Sequence, residues 1–163
     1  MKTRLIINLL LVLLVTALGL IAWLKPGQEE AQTARLTTLD LTAINSISIE
    51  REQAETIQLS RDKNQWLITK PITALALAGK IERLIKISQI TPPVRYPLES
   101  TSLKEFGLKP PLVRIQFNEQ ALSIGGTESV HSRRYVSDDT QLYLLDDTFL
   151  HHLTAPLSAF IDT

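Results

Sequence analysis

An uninterrupted apolar segment at the N-terminus constrains this chain more than any other feature. Residues 5–24 carry no charged side chain; Lys2 and Arg4 precede them, and Lys25-Pro26-Gly27 follows. A helix rises 1.5 Å per residue, so twenty residues span about 30 Å, which matches the hydrocarbon core of a bilayer. Core helices of soluble domains keep a polar face, whereas only two of these twenty residues are polar. The sequence therefore predicts one membrane-spanning helix.

A cleaved signal peptide is the alternative interpretation of this segment. Signal peptides have an apolar stretch of about 7–15 residues that ends in a small-x-small cleavage site. Here the stretch is longer and ends in bulky residues, and the absence of cysteine excludes lipid attachment at a lipobox. We expect a retained anchor, with cleavage as the open alternative. Basic residues favour the cytoplasmic side, so the N-terminus is predicted inside and residues beyond about 36 outside the cytoplasm.

The remaining chain is long enough for one further domain. We divide the sequence into a cytoplasmic tip and transmembrane anchor at 1–27, a polar tether at 28–38, and an extracytoplasmic domain at 39–163. This predicts a single-pass protein of the inner (cytoplasmic) membrane whose C-terminal domain is periplasmic or extracellular. From residue 28 onward, fourteen Lys and Arg stand against seventeen Asp and Glu, a net charge of −3. A mildly acidic domain lacks an electrostatic footprint for nucleic acid, so no nucleic-acid partner is expected.

Alternation of apolar and polar residues predicts an antiparallel sheet in two parts. The first part has strands near 47–49, 57–59 and 66–68, and Pro71 ends the third because proline cannot donate to a strand ladder. Thr73 is predicted to cap a helix over about 74–89, and a loop containing Arg95, Tyr96 and Pro97 follows.

The second part begins after Pro110-Pro111. Strands are predicted near 113–117, 122–124, 135–136 and 142–145, and Asp146-Asp147-Thr148 is predicted to cap a last helix through about His152. A helical turn over 102–106, closed by Gly107, precedes this part. The predicted fold class is α+β: a single N-terminal transmembrane helix followed by a domain of two antiparallel β-meander plus helix units.

Five short motifs occur in a characteristic order. They are Trp66 to Pro71, Phe106-Gly107-Leu108, Pro110-Pro111, Ile124-Gly125 and Tyr135-Val136. With the apolar N-terminus, this order resembles the domain-of-unknown-function family 4340. The family has no settled activity, so the resemblance implies no catalytic residue. Some members are encoded beside ABC-type export systems that resemble gliding-motility transporters, which implies an accessory subunit docked on a membrane complex. Many relatives are longer or repeated, whereas this chain has one domain.

Several polar groups suggest chemistry but lack the spacing that the chemistry needs. His151 and His152 are adjacent, so on a helix they point about 100° apart and seldom share a metal ion. Gly125-Gly126 has neither a Walker nor a dinucleotide-binding pattern. The pairs at Asp138-Asp139 and Asp146-Asp147 are typical of a turn and a helix cap rather than of facing catalytic carboxylates. We predict no catalytic, cofactor-binding or metal-binding residues.

Two features are candidates for interaction. Arg133 and Arg134, with Arg114 on a nearby strand, could bind an acidic partner, and Gly19, with small neighbours at helical spacing, could let a second helix approach closely. The first hypothesis is therefore a membrane-anchored extracytoplasmic interaction domain, an accessory or structural subunit of a membrane protein complex whose partners are other integral membrane proteins. The alternative is a small-ligand or cell-wall glycan binding protein, with its ligand unknown.

Overall fold

The computed structural model describes residues 2–24, 35–98 and 103–162. Most of the predicted tether, residues 28–34, and Ser102 of the predicted helical turn lie outside the described residues. The chain divides into two compact units, Met1–Ala31 and Gln32–Thr163. Arg35 to Thr38 belong to the second unit, and the backbone amide of Leu36 donates to the carbonyl oxygen of Ile90.

The first unit contains one helix, α1 (Lys2–Leu24). Its eleven large apolar side chains between Ile6 and Leu20 are each 51–68% exposed. The hydroxyl of Thr16 donates to the carbonyl oxygens of Val12 and Leu13 at 2.9 Å, so the helix itself satisfies this polar group. Over the described residues, no helix combines the length and the apolarity needed to cross a membrane.

The second unit belongs to the α+β class, as predicted, and is built on one large antiparallel sheet. The described residues form nine strands in the order β4-β3-β2-β1-β6-β7-β8-β9-β5. These are β1 (Ser46–Arg51), β2 (Ala54–Asp62), β3 (Gln65–Lys70), β4 (Ala74–Leu75), β5 (Val94–Pro97), β6 (Val113–Phe117), β7 (Gln120–Thr127), β8 (Arg134–Ser137) and β9 (Gln141–Leu145). The helices are α2 (Ala78–Ser88) and α3 (Leu150–Leu153), with 3-10 turns at Leu41–Ala43 and Leu157–Phe160.

Pairing of β1 with β6 joins two runs of consecutive antiparallel strands into a single sheet. Ile47 faces Phe117 and Ile49 faces Ile115 in this pair, and all four side chains are almost fully buried. The apolar residues of each strand alternate with polar ones, so they line one face of the sheet together. This face carries the main core, on which α2 packs through Ile81, Leu84 and Ile87.

The helix that was predicted over about 74–89 starts later in the structure. Ala74 and Leu75 pair with Ile68 and Leu67 as an edge strand, so α2 begins only at Ala78. Its N-cap is Leu77, not Thr73, and no side chain caps it. The Leu77 amide donates instead to the Phe160 carbonyl oxygen at 2.8 Å, which ties the C-terminal 3-10 turn to this end of α2.

Two further predictions were wrong. The loop that was expected around Arg95-Tyr96-Pro97 is the edge strand β5, which pairs with β9 far along the chain. The N-cap of the last helix is Phe149, which makes no side-chain cap, and Asp146 and Asp147 pair instead with Arg133 and Arg134.

We call the face of the sheet opposite the main core the second face. A segment that we name the covering turn, residues 103–111, lies over it. The Phe106 ring packs on the Tyr135 ring with centroids 4.6 Å apart, and the amide of Gly126 donates to the Phe106 carbonyl oxygen at 2.8 Å. Leu142 and Leu144 alternate with core residues of β9, so they point to this second face, where both are buried. The end of the sheet around β8 and β9 is therefore covered on both faces.

Candidate functional site

Of the three predicted arginines, Arg134 is buried and binds other groups of its own domain. It is 8% exposed; its Nη1 donates to the carbonyl oxygen of Gly125 at 2.6 Å, and its Nη2 lies 2.5 Å from Oδ2 of Asp147. Charge-assisted bonds of this length are strong. Arg134 thus fastens β7 to the segment after β9, and its guanidinium is not presented to a partner.

Arg133 is half-buried and forms a looser ion pair. Its Nε lies 3.5 Å from Oδ1 of Asp146, whose side chain is mostly exposed. Solvent-exposed pairs of this kind contribute at most about 1 kcal/mol. Arg133 therefore keeps most of its capacity for other contacts.

Arg114 lies apart from the other two. It sits exposed on β6, next to Ser123 of β7, and Ser123 in turn pairs with Ser137 at the far end of β8 from Arg134. The structure therefore does not bring the three arginines into one cluster. The ion pairs found among the described residues do not include Arg114.

Arg114 lines an open groove of about 320 Å³ together with residues that were not predicted to belong to a site. The groove lies where β1 ends beside the start of β6, and its lining consists of Glu50, Arg51, Glu52, Pro110, Pro111 and Arg114. Glu50 is directly opposite Arg114 across the β1–β6 pair. Alternation places both residues on the second face, but the pairing of strands more than sixty residues apart cannot be deduced from periodicity.

On one side of this groove, two hydrogen bonds hold the side chain of Arg51. The Nη1 of Arg51 donates to the carbonyl oxygen of Ala155 at 2.8 Å, and its Nη2 donates to that of Glu55 at 3.3 Å. The volume is at the lower limit of small-ligand sites. Proline rings offer an apolar wall, the glutamates accept hydrogen bonds, and Arg114 donates them. Such a mixed lining suits an extended peptide or a polar sugar better than a purely anionic ligand.

The predicted turn at Asp138-Asp139 is confirmed, and Asp138 organises it. Its carboxylate accepts hydrogen bonds from the amides of Thr140 and Gln141 and from the Tyr143 hydroxyl, the last at 2.6 Å. Burial by itself raises the pKa of Asp138, but these hydrogen bonds outweigh it and hold the pKa below its ordinary value. Burial and the bond to this carboxylate raise the pKa of Tyr143. The arrangement is structural.

The remaining candidates have local roles. Gly125 and Gly126 receive the covering turn, as the contact with Phe106 shows. The rings of His151 and His152 lie with centroids 3.8 Å apart on α3. Within the described part of the chain, no group of three or more His, Cys, Asp or Glu side chains is arranged to hold a metal ion.

Comparison with known proteins finds no match: no family model, no curated protein and no solved structure is similar to this chain. The resemblance to family 4340 therefore stays a prediction that rests on the motifs alone.

Proposed function

We propose that this protein is a membrane-anchored extracytoplasmic interaction domain that serves as an accessory subunit of a membrane protein complex. The observation that carries the proposal is the exposed apolar surface of α1. Burial of apolar surface is worth about 25 cal/mol per Å², and soluble proteins seldom leave such contiguous patches in water. A helix whose eleven large apolar side chains are all more than half exposed needs lipid or another protein around it.

The composition of α1 supports insertion in lipid. Its hydroxyl group at Thr16 is satisfied within the helix, which removes the cost of placing an unpaired polar group in hydrocarbon. Lys2 and Arg4 at its start favour a cytoplasmic N-terminus. On this proposal the second unit is extracytoplasmic, and the inner membrane is the location of the anchor.

Gly19 supports contact with a second helix. A Cβ built on Gly19 would meet nothing within 4 Å, so this position is open to a close neighbour. Helices in membranes associate through such small residues because their backbones can then approach closely. The resemblance to family 4340 suggests a complex of ABC-transporter type.

Membrane insertion and partner recovery test the proposal separately. Membranes that contain the full chain are washed with alkaline carbonate, which releases peripheral proteins and retains inserted ones. Release of the chain into the wash would overturn the anchor. The full chain is then recovered in mild detergent, and co-purified membrane proteins are quantified.

Two variants of α1 make the pull-down specific. Gly19→Leu fills the open position, and Ala17→Leu places the same side chain on a different side of the helix, because two residues turn a helix by about 200°. We expect Gly19→Leu to reduce partner recovery about tenfold or more and Ala17→Leu to leave it unchanged. Equal recovery with both variants would exclude packing at Gly19, and no partner with the wild-type chain would exclude the complex.

A second candidate function, binding of a cell-wall glycan or peptide, is favoured by the groove at Arg114. Calorimetric titration with soluble peptidoglycan fragments tests it. Arg114→Gln removes the cation from the groove, whereas Arg133→Gln removes one that the groove does not contain. Binding that only Arg114→Gln weakens would establish the groove as a ligand site, and absence of binding to the wild-type chain would exclude it for these ligands.

A further inference from the structure

The groove at Arg114 brings together four charged residues from separate segments of the second unit. Its lining contains Glu50 and Arg51 at the end of β1, Glu52 in the turn that follows, and Arg114 near the start of β6. Two carboxylates and two guanidinium groups balance, so the groove is neutral as a whole. The ion pairs among the described residues include none of the four. A ligand that carries both charges matches this lining better than a pure anion or a pure cation does.

Glu50 and Arg114 are the two charges that the sheet places most directly. They are opposite each other across the β1–β6 pair, and both are exposed. The Cβ atoms of directly opposed residues lie about 4.5–5.5 Å apart, a separation at which unlike charges can pair and stabilise a sheet. The ion pairs of the described chain nevertheless do not join them. Their charged ends therefore stay available to a molecule that lies between them.

Arg51 adds positive charge at the groove but meets only neutral acceptors. Its two Nη atoms donate to the backbone carbonyl oxygens of Ala155 and Glu55. Its Nε is fully buried and has no hydrogen-bond partner in the described part of the chain. A guanidinium stays protonated in such surroundings, so its charge offsets one of the two glutamates. A ligand with positive charge alone would therefore gain little net attraction.

Two prolines supply the apolar wall of the groove. Pro110 and Pro111 end the covering turn, and a β-bridge joins Pro111 to Leu108. The amide of Leu112, the next residue, donates to the carbonyl oxygen of Ile124 at 2.8 Å, which attaches this segment to β7. The residues that line the groove include no aromatic ring. The apolar contact area is therefore small and suits a short aliphatic side chain.

We propose that the groove binds a short peptide as a zwitterion, with its free α-ammonium at Glu50 and Glu52 and its free α-carboxylate at Arg114. An ammonium has three donors to share between two carboxylates, and a guanidinium binds a carboxylate through paired hydrogen bonds. Two extended residues span about 7 Å, so the two ends of a dipeptide can reach side chains on opposed strands. The inference rests on the second candidate function, ligand binding at this groove, and narrows its ligand to a peptide with both ends free.

The test is a calorimetric titration of the full chain, in neutral maltoside micelles, with L-alanyl-L-leucine. Two capped forms each remove one charge without any change to the protein. N-acetyl-L-alanyl-L-leucine lacks the ammonium, and L-alanyl-L-leucinamide lacks the carboxylate. We expect each cap to weaken binding about fivefold, the effect of losing one ion pair at an open site.

Protein variants then assign each end of the peptide to its side chain. Glu50→Gln should weaken binding of the free dipeptide about fivefold and leave the N-acetyl form unchanged, since that form has no ammonium to lose. Arg114→Gln should weaken the free dipeptide equally and leave the amide form unchanged, as in a double-mutant cycle. Glu119→Gln and Arg133→Gln are the matched controls, because neither residue lines the groove. We expect each control to change binding less than about twofold.

The outcomes separate this inference from the function on which it rests. Equal binding of the free and capped dipeptides would overturn the zwitterion and keep the groove as a peptide site. Binding of soluble peptidoglycan fragments that Arg114→Gln weakens, without binding of the dipeptide, would overturn the zwitterion and keep the second candidate function. Equal weakening by Glu50→Gln and Glu119→Gln would overturn the assignment of the ammonium, because the dipeptide would then respond to net charge. Absence of binding by both ligands would overturn the inference and the second candidate function together.

Discussion

The two halves of the sheet, β1–β4 and β5–β9, present the same face to the core but differ on the second face. In the first half that face carries Ser48, Gln58 and Ser60, none of which is fully buried. In the second half the corresponding side of β9 carries Leu142 and Leu144, at 5% and 7% exposure. The second face of the first half is thus only partly buried, whereas β9 in the second half is buried on both faces.

The difference depends on how closely another segment can approach the strands. The covering turn reaches the second half at Gly125 and Gly126, and a Cβ on Gly125 would lie 2.3 Å from the Phe106 carbonyl oxygen. On the other side of the contact, Gly107 has φ +66°, which side-chain-bearing residues seldom adopt. The strands of the first half contain no glycine. The absence of side chains at Gly125 and Gly126 therefore lets the covering turn pack closely on the second half of the sheet.

The largest effect is expected from Gly125→Ala. The new Cβ collides with backbone and cannot be accommodated by rotating a side chain, so the covering turn must move. We expect a loss of about 3–4 kcal/mol in the free energy of unfolding, measured by urea denaturation. Gly126→Ala is the control, since its Cβ would stand 3.6 Å from the same oxygen, an ordinary contact. Equal losses in the two variants would contradict the role of close approach at Gly125.

A matched pair of leucine truncations compares the second faces directly. Leu142 is buried under the second layer, whereas Leu67 of β3 is half-buried and belongs to the first half. We expect Leu142→Ala to cost about 2–3 kcal/mol and Leu67→Ala about 1 kcal/mol, because cavity cost follows burial. Similar losses, again measured by urea denaturation, would show that both halves are covered in solution.

Replacement of Arg134 and of Arg133 tests how much each arginine stabilises the second half of the sheet. Arg134→Met leaves Asp147 and the Gly125 carbonyl oxygen without their donor, and we expect a loss of about 2 kcal/mol, less than for a fully buried pair. Arg133→Met removes an exposed pair, and we expect less than about 0.5 kcal/mol. Thermal unfolding measures the stability lost by each variant. A larger loss for Arg133→Met than for Arg134→Met would refute the structural role of Arg134.

A smaller effect than for Arg134→Met is expected at the Asp138 turn, and it depends on pH. The folded-state pKa of Asp138 is lowered by the bonds from Tyr143, Thr140 and Gln141. Its contribution is therefore complete above the unfolded pKa of about 4 and is lost as the pH falls through the lower folded value. Asp138→Asn should cost about 1 kcal/mol at neutral pH, and the difference from wild type should shrink below about pH 4. A pH-independent difference in urea midpoints would contradict this linkage.

Local patterns predicted much of the sheet but little of the candidate sites. The turn at Asp138-Asp139 was identified from its residue types. The groove at Arg114 was not, because it joins residues from separate elements. Glu50 meets Arg114 only through the pairing of two strands that lie more than sixty residues apart in the sequence.

The sequence by itself determined which residues of each strand face the core, the α+β class, and the apolar N-terminal segment for which a membrane is the proposed environment. Period-two alternation and the turn residues act over a few neighbouring positions, so they can be recognised locally. The tertiary structure decided that β1 pairs with β6, that β5 inserts beside β9, and that Arg134 turns inward while Arg114 stays exposed. Those outcomes depend on register and packing between distant segments, where several local solutions of similar energy compete and only the assembled core selects one.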